Sequence, residues 1–402
     1  MNTEVHVWMG IFASFLIALT APCQPPRATE PFGLSSSNGV LVLNGKPYRG
    51  MGVNYFSLFS RTLNNHSDRS YEKGLRELSE AGIPFVRFMA CGFWPSEWDL
   101  YLTNRPGYFA RLDEVVRCAE TNHIGLIPSL FWNMATVPDL VSEPIDQLGN
   151  PDSKTIAFIR QYTREVVTRY RDSSAVWGWE FGNEYALSAD LPNAAKFHPP
   201  VWPTLKTALQ RTPRDELSSQ AMLTAFAAFA ETARSLDPRR ILVTGNALPR
   251  ASAYHNTREK SWKPDSPAQF ESVLQRDNPD PFDTLCVHVY PKEKKNDVYP
   301  GAVTNLSALV ATLNSLATKV RKPLFIGEFG ASATEGPEDE RALFEELVSV
   351  IETQAVPLSA LWVFDLAQQD KDWNATFANR RAYMLHRIGA VNRSFAADGR
   401  NP

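Results

Sequence analysis

The sequence has few of the residues that build disulfide frameworks or zinc motifs. Only 4 of its 402 residues are cysteine, and one of them, Cys23, falls in the N-terminal segment. The others, Cys91, Cys118 and Cys286, are odd in number and widely spaced. A disulfide-stapled fold is therefore not indicated, and these cysteines are expected to be small buried residues. A bridge between two of them remains open.

The sequence also lacks an excess of either charge. Lys and Arg number 41 against 44 Asp and Glu, and no long basic run occurs. Binding to nucleic acid or to an anionic membrane is therefore not expected. No Gly-x-Gly-x-x-Gly follows the first strand and no Gly-x-x-x-x-Gly-Lys occurs, so nucleotide binding is not indicated and no cofactor is predicted. The absence of Gly-x-Ser-x-Gly argues against a serine hydrolase.

The N-terminal apolar run, Val7 to Ala21, is short for a membrane span and leads into the Pro-rich stretch APCQPPR. This pattern is typical of a secretory signal peptide over residues 1–23, with cleavage after Cys23, and predicts a secreted or periplasmic protein. Because Glu4 stands where a basic residue is usual, a lipoprotein signal or an uncleaved anchor remains an alternative.

Beyond this segment, strand and helix patterns alternate along the chain. Short apolar runs typical of buried strands recur eight times, and segments with apolar spacing near 3.6 residues lie between most of them. The predicted strands are Gly50–Tyr55, Ile83–Ala90, Ile124–Phe131, Ala175–Phe181, Ile241–Gly245, Thr284–Tyr290, Leu324–Phe329 and Ala360–Phe364. This α/β alternation predicts a closed (β/α)8 barrel, the TIM barrel. We expect it to be a single monomeric domain over 39–395, after a flexible segment over 24–38.

Three segments add to the simple alternation. Val40–Leu43, an Asn-Gly turn and the run 46–49 predict a β-hairpin that would cover the bottom of the barrel. The segment 250–280 shows no clear long helix. Long loops are expected after the fourth and fifth strands, on the face where the strands end.

Polar and aromatic residues collect at the predicted C-terminal ends of the strands. In a parallel barrel these ends open onto one face, where active sites lie. The residues there are Asn54, Tyr55, Arg87, Phe131, Trp132, Asn183, Glu184, His288, Tyr290, Glu328 and Trp362. Scattered core residues would not gather in this way, so this face is the predicted functional site.

Two of these residues are carboxylates on the fourth and seventh strands. Glu184 ends the motif WEFGNE, and Glu328 lies in LFIGEFG, so the two should face each other across the barrel mouth. Either alone could be an ion-paired structural residue. A facing pair suits glycosidic cleavage, because one carboxyl group protonates the departing oxygen while the other stabilises or attacks the sugar carbon. A separation of about 5–5.5 Å would indicate a retaining enzyme.

The ordered motifs WEFGNE, VHVYP, FIGEFG and a final strand-end Trp resemble glycoside hydrolase family 5, within the clan of retaining barrel glycosidases. The resemblance spans roughly residues 40–390. It implies that Glu184 is the acid/base and Glu328 the nucleophile. Asn183 would bind the substrate 2-hydroxyl, and Trp362 would be the platform for the sugar at the cleavage site.

The same resemblance implies a supporting group around the two carboxylates. Arg87 and Tyr290 would hydrogen-bond Glu328 and keep it ionised, and His288 would lie near Glu184. Glu184, less favourably paired, would stay protonated long enough to donate. The remaining candidates for supporting or substrate-binding roles are Asn54 and Trp132.

One motif departs from the family pattern. Many members place a His after the third strand, whereas this sequence reads PSLFWNM, with Phe131 and Trp132. SLFWN together with VHVYP is more similar to the mannan-cleaving branches. The prediction is a retaining β-glycoside hydrolase for β-1,4-linked polysaccharide or oligosaccharide, with endo-cleaved mannan favoured over glucan. A β-glucanase, an exo-β-glycosidase, a transglycosylase and an inactive carbohydrate-binding barrel remain alternatives.

Metal binding is not predicted, because His288 has no His or Cys nearby at ligand spacing. The other tryptophans have open roles. Trp177 and Trp179 are expected to pack in the barrel or against helices. Loop packing and a sugar platform are both open for Trp94, Trp98, Trp132 and Trp262, with Trp132 the best candidate platform.

Overall fold

The computed structural model describes residue 1 and residues 33–291, 298–333 and 336–397. Within these ranges eight parallel strands form one sheet that curves into a barrel. They are β4 (Gly50–Asn54), β5 (Phe85–Met89), β6 (Gly125–Phe131), β7 (Gly178–Gly182), β8 (Ile241–Val243), β9 (Leu285–Val289), β10 (Leu324–Phe329) and β11 (Leu358–Leu361). Each overlaps a predicted run, and the predicted (β/α)8 fold is confirmed.

Helices connect the strands, and the long ones bury an apolar face against the sheet. Their bounds are α1 (Ser60–Asn64), α2 (Ser70–Glu80), α3 (Asp99–Thr103), α4 (Arg105–Thr121), α5 (Thr136–Leu140), α6 (Lys154–Tyr170), α7 (Tyr185–Ser188), α8 (Ser219–Leu236), α9 (Ala253–Glu259), α10 (Pro267–Asp277), α11 (Leu306–Val320), α12 (Pro337–Thr353) and α13 (Ala382–Ala397). Side-chain caps start several of them, for example Ser153 before α6 and Ser218 before α8.

The expectation that 250–280 holds no long helix was wrong. Helix α10 has 11 residues and begins with a capping box, in which the side chains of Ser266 and Gln269 each bond the other's backbone N–H. Pro267 occupies the first helical turn, where its missing N–H costs nothing. The surrounding Pro, Asp and Asn residues masked this start signal in the sequence.

A small antiparallel sheet closes the bottom of the barrel, as the hairpin prediction expected. It contains β1 (Leu34–Ser37), β2 (Val40–Leu43) and β3 (Lys46–Pro47). Its apolar side chains join a buried cluster with inward-facing barrel residues such as Phe85 and Ile127. β1 corrects the segment predicted to be flexible, because LSSS has too little apolar alternation to be recognised as a strand. Residues 2–32, including most of the predicted signal peptide, lie outside the described ranges.

The two end strands of the sheet, β8 and β9, are joined mainly through side chains. The Asn278 amide accepts from the Cys286 N–H at 3.0 Å and donates to the Cys286 carbonyl at 3.2 Å. It also accepts from Thr244 Oγ1 at 2.8 Å. Asp283 bonds both backbone groups of Leu242, at 2.7 and 3.0 Å. We call this junction the β8–β9 seam.

The predictions about cysteine and membrane-spanning segments can be compared with the described residues. Cys91 and Cys286 are buried and Cys118 is half-buried, and all three are free thiols. None of the helices in the described ranges combines the length and apolar character that a membrane crossing requires.

Candidate active site

A sharp turn after β7 places Glu184 at the barrel mouth. Its φ of 54° and ψ of 27° lie in the left-handed region, which is uncommon for a residue with a side chain. The Glu184 N–H donates to the Gly245 carbonyl oxygen at 2.9 Å. Gly245 cannot carry a side chain, because a Cβ there would lie 1.8 Å from the Gly182 carbonyl oxygen. This close approach of two strand ends fixes where the Glu184 carboxylate stands.

Glu328 lies near the end of β10 and is only 4% exposed. Its Oε1 accepts from Arg87 Nη1 at 2.9 Å, and its Oε2 accepts from the Tyr290 hydroxyl at 2.7 Å. One oxygen of Glu328, one oxygen of Glu184 and a ring nitrogen of His288 all lie within 4.8 Å of one another. The two carboxylates expected to face each other are therefore brought together at the mouth.

His288 bridges the two carboxylates from below. Its Nδ1 lies 2.8 Å from Glu184 Oε1 and 3.5 Å from Glu328 Oε2. Burial raises the pKa of Glu184, but the hydrogen bond from His288 and the charges of His288 and Arg87 outweigh it and hold the pKa below its ordinary value. The expectation that Glu184 is poorly paired was therefore wrong, because His288 pairs with it in the free protein. The partner lies 104 residues away, too far for sequence spacing to pair them.

Arg87 is fully buried and organises the floor of the site. Besides bonding Glu328, its guanidinium donates to the amide oxygens of Asn54 and Asn183, at 2.9 and 2.8 Å. Its Nε donates to both oxygens of Glu180, at 2.9 and 2.8 Å. Burial lowers the pKa of Arg87, but the charges of Glu180 and Glu328 outweigh it and raise the pKa above its ordinary value.

Glu180 is a site residue that sequence reasoning missed. It lies inside β7, within the WEFGNE motif, and is fully buried. The signal was present, because a charged residue inside an otherwise apolar buried strand needs a partner of opposite charge. The sequence could not show that this partner is Arg87.

Aromatic side chains wall a cavity of about 450 Å³ above the two carboxylates. The lining residues are Phe56, Phe93, Trp132, Asn183, Glu184, Tyr290, Glu328, Trp362, Leu366, Gln369 and Trp373. Trp132 lies over the Arg87 guanidinium at 4.6 Å, and its ring centroid is 6.2 Å from that of Trp362. The indole N–H of Trp362 donates to Gln369 at 2.8 Å, which fixes the ring.

The predicted site residues thus divide into two layers. Six of them line the cavity, whereas Arg87, His288 and Asn54 lie beneath it and hold the others. Asn54 is fully buried, and its amide donates to the Gly327 carbonyl oxygen at 2.9 Å. The strand-end residues Tyr55 and Phe131 are buried as well, and neither lines the cavity.

Two further cavities adjoin the central one. A cavity of about 410 Å³ shares Glu184 and Trp132 with it and is walled by residues 197–200, from the long loop after β7. A cavity of about 640 Å³ shares Phe56 and Gln369 with it and carries several polar side chains. The central cavity therefore shares part of its lining with two neighbouring cavities.

The wall next to Glu184 is held by ion pairs. Arg211 forms two 2.7 Å hydrogen bonds with Asp139, and its Nε donates to the Pro199 carbonyl oxygen at 3.2 Å. Trp202, which follows this anchored segment and is 47% exposed, packs against Trp94 with ring centroids 4.9 Å apart. Trp94 itself lines both neighbouring cavities.

Four further tryptophans in the described ranges line none of these three cavities. Trp177 packs against Tyr48 and Phe85 at the bottom of the barrel, and Trp179 is fully buried, which confirms the expected packing roles. Trp98 is also fully buried. Trp262 is 49% exposed and lines none of the three cavities.

Two carboxylates facing each other at the C-terminal mouth of a parallel barrel define the class of barrel glycosidases. Comparison with known families agrees with this class. The family model described as Cellulase (glycosyl hydrolase family 5) matches residues 43–364. The chain therefore belongs to glycosyl hydrolase family 5.

Individual relatives share only low sequence identity with this chain. The chain is 27% identical over 214 residues to a probable mannan endo-1,4-beta-mannosidase C from Aspergillus terreus, and the match covers 44% of this chain and 51% of that protein. It spans about half the length of this curated relative.

Solved structures share the fold at low identity. The endo-1,4-beta-mannanase from Rhizomucor miehei has a TM-score of 0.63 at 14% identity, covering 91% of this chain and 99% of its own. A beta-glucanase from Saccharophagus degradans, solved with cellotetraose, has a TM-score of 0.55 at 16% identity, covering 93% and 95%. At these identities the likeness shows the fold alone.

Proposed function

We propose that the protein is a retaining β-glycoside hydrolase in which Glu328 is the nucleophile and Glu184 the acid/base. The observation that carries this proposal is the pair of carboxylate oxygens within 4.8 Å of each other at the mouth. Retaining enzymes place their two carboxyl groups about 5–5.5 Å apart, whereas inverting enzymes leave room for a water between them. Arg87 and Tyr290 donate to both oxygens of Glu328, which stabilises it as the carboxylate that attacks.

In this mechanism Glu184 supplies the proton for the first step. Its side chain is 32% exposed in the free protein, and its pKa is lowered there. A sugar chain that covers this side chain excludes water and strengthens the burial effect, which raises the pKa toward the value that a proton donor needs. Glu328 then bonds to the anomeric carbon while the leaving oxygen takes the proton. In the second step Glu184, now a base, takes a proton from the water that releases the sugar.

We propose β-1,4-mannan, cleaved internally, as the substrate. The curated relative is named as a mannan endo-1,4-beta-mannosidase, and the third strand end carries Trp132 where many family members have a His. Glu184 protonates the leaving group, so the 410 Å³ cavity that it lines would take the leaving part of the chain. The 640 Å³ cavity would take the other part. Two cavities that adjoin the central one would give a sugar chain room beyond the cleavage site, which favours cleavage inside a chain over removal of single end units.

Product analysis tests this proposal directly. The purified protein is incubated with mannan, glucomannan, cellulose, xyloglucan and aryl β-glycosides, and the anomer first released is identified by NMR. We expect mannan to be cleaved with retention of configuration. Hydrolysis of cellulose alone would move the assignment to β-glucanase, and sugar transfer without hydrolysis to transglycosylase.

Matched variants assign the two carboxylates. Glu328→Ala and Glu184→Ala should each abolish turnover of polysaccharide, and azide should partly restore turnover of an activated aryl glycoside by Glu184→Ala. Glu271→Ala is the control, because Glu271 pairs with exposed Lys319 on the outer helices at 2.9 Å, away from the site, and its loss should leave activity unchanged. Full activity in either site variant would refute the assignment. Oligosaccharide binding by the wild type without any product would indicate a carbohydrate-binding barrel.

We also propose that residues 1–23 direct export and that 39–395 form a single monomeric catalytic domain without metal or cofactor. Proton transfer and covalent attack are both supplied by carboxyl groups, so the reaction balances without a metal. Mass spectrometry of the secreted protein would locate the cleavage site, and light scattering would give the oligomeric state. Dialysis against EDTA should leave activity unchanged, and a loss restored by a divalent cation would contradict the proposal.

A further inference from the structure

We propose that Glu180 is a positioning residue that acts through Arg87 and limits how strongly the buried nucleophile Glu328 is stabilised as a carboxylate. This inference rests on the proposed function, in which Glu328 attacks the sugar. Glu180 itself does not line the cavity and is not expected to touch substrate.

The geometry places one cation between two anions. Arg87 Nε bonds both oxygens of Glu180, while its Nη1 bonds Glu328 at 2.9 Å. The side chains of Glu180, Arg87 and Glu328 are 0%, 0% and 6% exposed. Water and salt screen such buried charges only weakly. The negative charge of Glu180 therefore reduces the electrostatic stabilisation that the shared Arg87 guanidinium gives to the Glu328 carboxylate.

A purely structural partner for Arg87 would not need a charge. The same guanidinium donates to Asn54 and Asn183 through uncharged amide oxygens, at 2.9 and 2.8 Å. An amide acceptor on β7 would satisfy the Nε–H as well, and it would avoid the cost of burying another carboxylate. The chain instead places a full negative charge at this position, which offsets the positive charge that Glu328 experiences.

This offset matters for a nucleophile. Glu328 must be ionised, yet it must also give an electron pair to the anomeric carbon, and a carboxylate held too strongly by a cation is a weaker nucleophile. The titratable groups that face it come from β5, β7 and β9 and from the segments just after β7 and β9: Arg87, Glu180, Glu184, Cys286, His288 and Tyr290. Of these, Glu180 is the fully buried carboxylate with no direct route to the substrate.

The test is the pH profile of kcat/KM for Glu180→Gln on any β-glycoside that the wild type cleaves. Removing the negative charge makes Glu328 easier to ionise, so the acid limb should move to lower pH by about one unit. The less basic nucleophile should attack more slowly, and kcat should fall while KM changes little. Glu180→Asp keeps the charge but withdraws it from Arg87, and should give a smaller shift in the same direction.

Asp237→Asn is the matched control, because Asp237 is a buried carboxylate bonded to buried Arg240 at 2.8 Å at the other end of the barrel. It should lose stability without any change in the pH profile. The proposal is overturned if Glu180→Gln loses stability as the control does but the acid limb of its pH profile does not move. If Glu180→Gln does not fold, an unshifted acid limb in Glu180→Asp has the same meaning. A wild type that cleaves no β-glycoside would instead refute the proposed function.

Discussion

The hydrogen bond between His288 and Glu184 should set the alkaline limit of activity. The bond measures 2.8 Å, and the His288 side chain is 1% exposed. In His288→Leu this donor is lost, and burial, which raises the pKa of Glu184, acts with less opposition. A hydrogen bond to a charged group contributes about 1.5–3 kcal/mol, and the lower value applies because Glu184 is partly exposed. That value corresponds to about one pKa unit.

The expected result is an alkaline limb of kcat/KM displaced upward by about one pH unit, since Glu184 must be protonated to donate. The matched variant is His288→Asn, whose side-chain N–H₂ can occupy the position of Nδ1 and keep the bond. Its alkaline limb should stay near that of the wild type. Equal shifts in both variants, or a downward shift in His288→Leu, would refute the reasoning. Thermal unfolding of each variant separates this effect from loss of folded protein.

Other perturbations test the fold and the cleft. Burial raises the pKa of Asp237, but hydrogen bonds from neighbouring indole and guanidinium groups outweigh it and lower the pKa below 3.8. The stabilisation that the ionised Asp237 carboxylate provides is therefore fully present above pH 3.8, and it is lost as the pH falls through the lowered pKa of the folded protein. Asp237→Asn should reduce the melting temperature at pH 7, and the reduction should become smaller as the pH falls below 3.8; a reduction that does not change with pH would contradict this. Arg211→Met leaves Asp139 buried without its partner, which should cost about 3–5 kcal/mol in urea unfolding and raise KM for long oligosaccharides more than for aryl glycosides. Trp362→Ala removes a cavity wall and should lower kcat/KM at least about tenfold, roughly 1.4 kcal/mol, whereas Trp262→Ala should not.

The barrel and its catalytic face were predictable because their signals are local and repeated. Each strand is a short apolar run, and each strand end points to the same face, so Glu184 and Glu328 could be placed opposite each other from order alone. The hairpin at the bottom was predictable for a similar reason, because an Asn-Gly turn specifies its own geometry.

What could not be predicted depends on contacts between distant residues. The sequence does not give the partners of Arg87, and only the folded barrel shows that its Nε bonds Glu180. The pairing of His288 with Glu184 likewise joins side chains from β9 and from the turn after β7, two strands that are not neighbours in the sheet, and it lowers the pKa of Glu184. Helix α10 was missed for a different reason, because its capping signal lies among residues that are equally common in loops.

The β8–β9 seam limits which substitutions the sequence can accept at position 278. Between the other neighbouring strands the ladder is made by backbone groups, which every residue except proline supplies. At the seam, the Asn278 side chain accepts from the Cys286 N–H and donates to the carbonyl oxygens of Cys286 and Leu274. Aspartate at position 278 could accept but not donate, and alanine could do neither. The closure of the ring at this point therefore depends on the side chains of Asn278 and Asp283 more than on a backbone ladder.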